Sequence, residues 1–439
     1  MPPALCCVVI GAGVVGLCVA LRLAQTGATV TLLERDKPGG GATQSSFAWL
    51  NANTKTPRAY FDLNHEGMLA WAELAAEAGQ PAWYRTSGNL EWAGDARGHA
   101  ELAARVRRLT EWGYPAGFLG AASAAELESA LQPAAATAEV AWFPGESYLL
   151  TGPAVGYLTA AAADAGVRVL TGEAGRVTGF GPPAGLDGAG REVHTAGGGV
   201  IVADAVVCCA GHQVPELARM AGATIPVPLV PWETPGAEAP GLVVHAGPAS
   251  GVTRMVHAPA VHLRPDRGGL IHLEAPDASV DLHTPAAELR RWADELLRRA
   301  RRVIRGLDEA EVTGFRVCVR PMPFDGQSIV GWLPGAPGVY VAVTHSGVTL
   351  GAHLGQLIAA EIAGGQAQPE LAPFRPDRFA PALLSGPVIR AGTRAGSACR
   401  TGRKRRGSGR TAPAPRPNGP AAARAPSARR CRAPPRSSR

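Results

Sequence analysis

Residues 6 to 34 constrain this chain more than any other stretch, because strand, glycine-rich turn, helix, strand and terminal acid follow one another in register. Cys6-Cys7-Val8-Val9-Ile10 is a short apolar run suited to a strand buried on both faces of a parallel sheet. Gly11-Ala12-Gly13-Val14-Val15-Gly16 follows directly in the pattern GxGxxG. The first glycine permits a tight turn, the second lets a phosphate approach the backbone, and the third lets helix and strand pack closely. The next helix carries Leu17, Ala20, Leu21 and Ala24, stops near Gly27, and aims its N-terminus at a pyrophosphate. Thr29 to Leu33 reads as a second strand ending at Glu34, an acid placed to accept hydrogen bonds from ribose hydroxyls, with Arg35 beside it. This unit specifies a dinucleotide site. By itself it leaves FAD and NAD both open, while NADP would meet charge repulsion at Glu34.

The segment after Glu34 favours flavin. Pro38-Gly39-Gly40-Gly41-Ala42-Thr43-Gln44-Ser45-Ser46 is small and hydroxylated, suited to bringing backbone and hydroxyl donors close to a flat polar ring and its ribityl chain. Far downstream, Arg320-Pro321 and Asp325-Gly326 open a second motif, closed by Gly331. These stretches resemble the FAD-dependent oxidoreductases related to D-amino-acid oxidase, glycine oxidase, monomeric sarcosine oxidase and D-amino-acid dehydrogenase. The GA-x-x-S loop after the ribose acid and the R-P-x-x-x-D-G signature carry the likeness, which spans roughly residues 5 to 380.

The resemblance implies an α/β fold with a Rossmann-like FAD-binding domain and a second, mainly antiparallel β substrate domain. It places the FAD domain in residues 1–85, 150–222 and 318–380 and the cover in 86–149 and 223–317. Val177 would touch adenine through its backbone, and Gly211, ending an apolar run from Gly199, would approach the cofactor closely. Arg320 would fix a substrate carboxylate, with a structural pairing to Asp325 as the alternative. Gly347, Val348, Thr349 and Leu350 would open a helix whose amides face the flavin, and His345 would either tune proton transfer there or serve structure. Non-covalent FAD is expected. Cys318, seven residues before Asp325, matches the cysteine that bonds flavin in monomeric sarcosine oxidase and is the alternative anchor. Sarcosine oxidase-like members carry an oxygen-activating lysine where Thr349 stands, so a dehydrogenase is somewhat favoured over an oxidase, with oxygen or a quinone or other carrier as acceptor. The substrate implied is an amine or amino acid.

Between the motifs, Val261 to Arg264 and Leu270 to Glu274 read as a hairpin around a Pro-Asp-Arg-Gly-Gly turn. This sheet would line the substrate side, where His257, His262 and His272 could face the cleft; lone histidines on alternating strands more often read as surface residues, and they are given no catalytic role. A helix from Thr284-Pro285 to Ile304, with Thr as cap, carries six arginines with Arg305 at its end and reads as a solvated amphipathic face.

Charge is unevenly distributed. The chain's formal +7 includes 15 Lys or Arg and no acid between Ser385 and Arg439, so the remainder carries −8 by difference. That tail, poor in apolar residues, is expected to be disordered. It leaves a second function class open, a flavin protein acting through its tail on nucleic acid or a surface; an NAD-dependent dehydrogenase is a third, which leaves the Arg320 and Thr344 segments unexplained. The eight cysteines form no CxxC pair and no zinc spacing, so neither a metal site nor a disulfide framework is expected. With no signal peptide and no transmembrane run foreseen, a cytoplasmic protein is expected, with peripheral contact at the inner face of a membrane left open.

Overall fold

The structure is a computed structural model that describes residues 4–132, 139–184 and 190–380. The basic tail lies outside the described residues.

The apolar run at the N-terminus forms the strand Cys6–Ile10, centred in a six-stranded sheet. Its neighbours are Thr29–Glu34 on one side and Ala205–Cys208 on the other, both parallel to it. Arg168–Thr171 and Val339–Val343 extend the parallel sheet, and Ile329–Trp332 closes it antiparallel. Cys208 and Cys209 are buried free thiols, as small hydrophobes in a sheet core. The run from Gly199 to Gly211 holds two strands. Val200–Ala203 joins a three-stranded sheet with Val177–Ala184 and Gly190–Thr195, and the chain turns at Asp204, whose carboxylate accepts from the Cys6 amide at 2.8 Å.

Two helices cover this sheet. Val14–Gln25 lies against the closing helix Gly347–Gly364, which buries nearly its whole length. Close approach depends on Gly355: a Cβ there would stand 2.8 Å from the Cys18 carbonyl oxygen. A third helix, Arg58–Glu77, crosses the start of the closing helix, and its Trp71 Nε1 donates to the Val348 carbonyl at 2.7 Å.

The second sheet has eight strands, all antiparallel to their neighbours except the parallel pair Met255–Ala258 and Asn89–Glu91. Alternation divides it into two faces. Leu242, Val244, Val256, Leu263 and Leu273 join Leu296, Leu297 and Ala300 of the helix Ala286–Val303 in one apolar core. Among its arginines, Arg290, Arg298 and Arg299 pair with Asp294, Glu295 and Asp277, which fits the solvated face read from sequence. The expected Thr284 cap is not made; its hydroxyl serves Asp281 instead. The opposite face of the sheet is polar, carrying Cys318, Arg316, His245, His272, Arg264 and His257. The reading of His257 and His272 as surface residues is wrong: both are buried, because the segment 47–49 lies over them, and only His262 is partly open.

Beneath that segment lies a buried acid. Glu146 accepts from Trp49 Nε1 at 2.7 Å and from Tyr114 Oη at 2.9 Å, and burial pushes its carboxyl up to about 8. The folded protein therefore holds a proton that the unfolded chain releases near 4.5.

Two predictions follow from packing and charge. Gly355→Ala should lower stability by roughly 1–3 kcal/mol through backbone overpacking, whereas Gly156→Ala, exposed with open space in the helix Thr151–Asp164, should raise it by about 0.5–1 kcal/mol. Paired thermal melts check the opposite signs. Glu146's neutral-form contribution is complete below about 4.5 and declines as pH rises to about 8. Glu146→Gln should therefore flatten the fall in stability across that window, measured by denaturant midpoints at stepped pH.

Candidate functional site

The glycine turn is built as its sequence requires. Gly11 has φ +100°, and a Cβ there would lie 2.8 Å from the Cys209 carbonyl oxygen; a Cβ on Gly16 would fall 1.8 Å from the Gly11 carbonyl oxygen. No other residue fits either position. Strand end and helix start are thereby brought together, so that the helix begins directly at the turn.

Glu34 stands where the fold needs an acid. Its Oε2 accepts from the Ala12 amide at 2.9 Å and its Oε1 from the Asp36 amide at 2.9 Å, so the carboxylate is held at the turn with lone pairs to spare for ribose hydroxyls. Arg35 is exposed and pairs with Asp36 at 3.3 Å. Thr43 links the next segment to the same turn: its hydroxyl accepts from the Val14 amide at 3.1 Å, within the short 3-10 helix Ala42–Ser45. Ser46 Oγ accepts from the Ala48 amide at 2.9 Å and bends the chain toward Phe47 and Trp49. Glycine cradle, ribose acid and hydroxylated loop thus converge, and this donor set fits a dinucleotide carrying a flavin.

Other expected residues fall at different distances from this centre. Gly211 takes φ +58° at the end of the central sheet, next to Pro321. Val177 starts its strand half-buried. At the closing helix, Gly347 faces Val15, while Thr349 Oγ1 donates to the Trp49 carbonyl at 3.1 Å and accepts from the Asn51 amide at 3.4 Å. Val348 and Leu350 are buried in the same turn, whereas the His345 side chain is exposed. Tyr60 Oη donates to Ser346 Oγ at 3.0 Å and steadies the turn.

On the polar sheet face, two residues reach the loop. The Cys318 thiol lies 3.9 Å from the Ala42 carbonyl, and burial pushes it up to about 11, so it is a neutral thiol at physiological pH. Arg316 donates through Nη2 to the Gln44 carbonyl. Arg320 is engaged elsewhere: Nε donates to the Ala239 carbonyl at 2.9 Å and Nη2 to those of Glu238 and Pro240 at 2.6 and 3.3 Å. Its alternative pairing with Asp325 is not made, because Asp325 pairs with Arg378 at 2.8 Å.

Sequence reasoning missed a buried cation. Arg264 is 2% exposed, donates through Nε to the Phe47 carbonyl at 2.5 Å, and lies over the Phe47 and Tyr148 rings. Its Nη2 meets His272 Nδ1 at 3.1 Å, and burial, then the Arg264 charge, pulls His272 well below the usual imidazole range. Asp266 lies 3.6 Å from Arg264 Nη1 and 2.9 Å from His245 Nδ1. Burial raises the Asp266 carboxyl, but the His245 bond and the Arg264 cation outweigh it and hold it below the usual carboxylate range. Ligand atoms of His245, Asp266 and His272 come within 4.8 Å of one another, yet the fixed guanidinium against two of them makes this an ion-pair network rather than a cation cage. The only sequence signal was period two, which placed Arg264 and His272 on one face without saying what covers it.

No helix among the described residues is long and apolar enough to cross a membrane. The family model for FAD dependent oxidoreductases, DAO, matches residues 7–361. A curated relative, the "Uncharacterized oxidoreductase YurR" of Bacillus subtilis (strain 168), is 25% identical over 388 residues, covering 84% of this chain and 98% of its own length. Glycine oxidase of Geobacillus kaustophilus (strain HTA426) is 25% identical over 379 residues, covering 83% and 95%. Among solved structures, that of glycine oxidase from Geobacillus kaustophilus aligns with TM-score 0.71 at 22% identity over 85% of this chain and 98% of its own. That of L-proline dehydrogenase from P. horikoshii aligns with TM-score 0.74 at 20% identity over 86% and 98%. With the family model matched over most of its length, this chain belongs to the DAO family of FAD-dependent oxidoreductases.

Proposed function

We propose that this enzyme oxidises the C–N bond of a D-amino acid, or of a secondary amino acid or amine. The observation that carries the reading is the polar sheet face, with Arg316 and Cys318 set against Ala42 and Gln44 of the flavin loop. A substrate held there would lie between cofactor loop and sheet, with residues 1–85, 150–222 and 318–380 carrying the cofactor and 86–149 and 223–317 covering the substrate. The family match and the 25% identity to a curated glycine oxidase support an amino-acid substrate.

Bound FAD supplies a hydride acceptor at its N5, chemistry that no side chain of this chain offers. The protein's work is to hold and orient. The Gly11–Gly16 turn and Glu34 would bind pyrophosphate and ribose, with Val177 and Gly211 flanking the nucleotide. Ala42 to Ser46 would line the ring, and amides from Gly347 to Leu350 would stabilise negative charge on it. Non-covalent attachment is favoured by the neutral Cys318 thiol, since the thiolate is the nucleophile. Arg320 retains Nη1, which makes none of the described hydrogen bonds, for a substrate carboxylate. We place proton handling at the flavin edge on His345. Thr349, tied to Trp49 and Asn51 at the place where the resemblance to sarcosine oxidase-like members implies a lysine, favours a dehydrogenase using a quinone or other carrier over an oxidase using oxygen.

Anaerobic mixing with glycine, N-methylglycine, D-alanine and L-proline should bleach the flavin absorbance with at least one of them. A flavin that none of them, nor a wider amine panel, reduces would overturn the reading. Arg320→Ala should raise KM for carboxylate substrates about 10- to 100-fold, the equivalent of roughly 1.5–3 kcal/mol for a charge-assisted bond, while retaining flavin. Unchanged steady-state KM would remove the assignment.

A further inference from the structure

We propose that His245, oriented by Asp266, is the base that takes the proton from the substrate ammonium before oxidation. This rests on the amine-oxidising reading above and adds the residue that prepares the amine. Removal of hydride from the carbon beside nitrogen needs the nitrogen lone pair, and an amino acid brings that nitrogen protonated at neutral pH. Some group must accept the proton.

The geometry is that of a carboxylate–histidine pair. His245 Nδ1 lies 2.9 Å from Asp266 Oδ2, and a carboxylate accepts only, so Nδ1 carries the hydrogen and Nε2 presents its lone pair. The same arrangement prepares imidazole as a base in hydrolases of unrelated fold. The side chain is 27% exposed, unlike the buried His257 and His272.

Its position is set by the sheet. His245 pairs with His272 on one side, whose ring meets Phe47 at 5.4 Å, and with Gly314 on the other. Gly314 has open space where a side chain would stand. Two residues along the Gly314 strand, on the same face, Arg316 reaches Gln44. His245 therefore sits on the face bracketed by the His272 contact to Phe47 and the Arg316 bond to Gln44 of the flavin loop, at a place with room for a ligand.

The charged and titratable groups around it are Asp266 from the hairpin turn, His272 at a ring distance of 4.8 Å, Arg264 behind both, and Arg316 on the edge strand. His272 is neutral and leaves the imidazolium no adjacent cation on its own strand pair. Asp266 stays ionised and compensates the charge that His245 gains. The balance is simple: the ammonium N–H bond breaks, its proton goes to His245 Nε2, and the electron pair stays on the amine nitrogen.

The pH dependence of kcat/KM, measured with whichever of glycine, N-methylglycine, D-alanine and L-proline bleaches the flavin best, tests the assignment. His245→Gln should lose roughly 10²–10⁴-fold at pH 7, recover as pH rises toward the amine's own ionisation, and keep its flavin. Asp266→Asn should move the acid limb to lower pH, because the imidazolium loses its counter-charge. Added imidazole should restore His245→Ala in part, which a purely structural ion pair would not allow. A His245→Gln profile parallel to wild type, or no rescue, overturns the proposal. If no amine bleaches the wild-type flavin, the amine reading fails separately. The His245 ring is then followed by NMR with 13C-labelled histidine: a proton exchanged with solvent, at a midpoint lowered in Asp266→Asn, supports the base, and a ring that keeps one charge state throughout contradicts it.

Discussion

Everything on the nucleotide side depends on one backbone approach. At Gly16 the helix passes so near the preceding strand that an added methyl would lie 1.8 Å from the Gly11 carbonyl oxygen. That contact fixes where the helix starts, and the start fixes where Glu34 and Thr43 can reach the same turn through the Ala12 and Val14 amides. The closing helix repeats the device at Gly355 against Cys18, which brings Gly347 and Thr349 alongside the turn. Three segments far apart in sequence meet because small residues let backbones touch.

The second sheet solves a different problem. Its apolar face is satisfied by the helix Ala286–Val303, so its other face is free to be polar. Burying that face under Phe47 and Trp49 has a cost: Nε2 of His257 and of His272 and Nδ2 of Asn89 are buried with no hydrogen-bond partner. An unsatisfied buried polar atom costs about 1–3 kcal/mol. Such local sacrifices concentrate where a protein works rather than where it is merely held together. Arg264 belongs to the same arrangement, a buried cation compensated by a carbonyl, an acid and two aromatic rings rather than by solvent.

What could be read in advance was local. GxGxxG, the acid at Glu34 and the hydroxylated loop fall within forty-odd consecutive residues, and in the structure Glu34 and Thr43 both accept from amides of the same turn. The hairpin around Pro265 was legible because alternation and turn residues are short-range. The burial of His257 and His272 was not, because the cover comes from Phe47, and its tie to Arg264 spans 217 positions. A period of two says which residues share a face and nothing about whether water or protein lies over it. The Gly199–Gly211 run was legible only as apolar for a related reason: hydrophobicity is continuous through it, and only the bond from the Cys6 amide to Asp204 shows where one sheet ends and the next begins. Arg320 was found as a residue, but the three carbonyls of 238–240 that hold it come from a strand start with no sequence signal.

The central claim is that the turn Gly11–Gly16, Glu34 and the Ala42–Ser46 loop hold FAD without a covalent bond. Its most direct test is the nucleotide released when purified protein is precipitated with acid. This account predicts a colourless pellet and FAD in the supernatant at about one per chain. A yellow pellet would transfer the flavin to a covalent anchor such as Cys318, and a colourless protein releasing NAD would contradict the flavin site altogether.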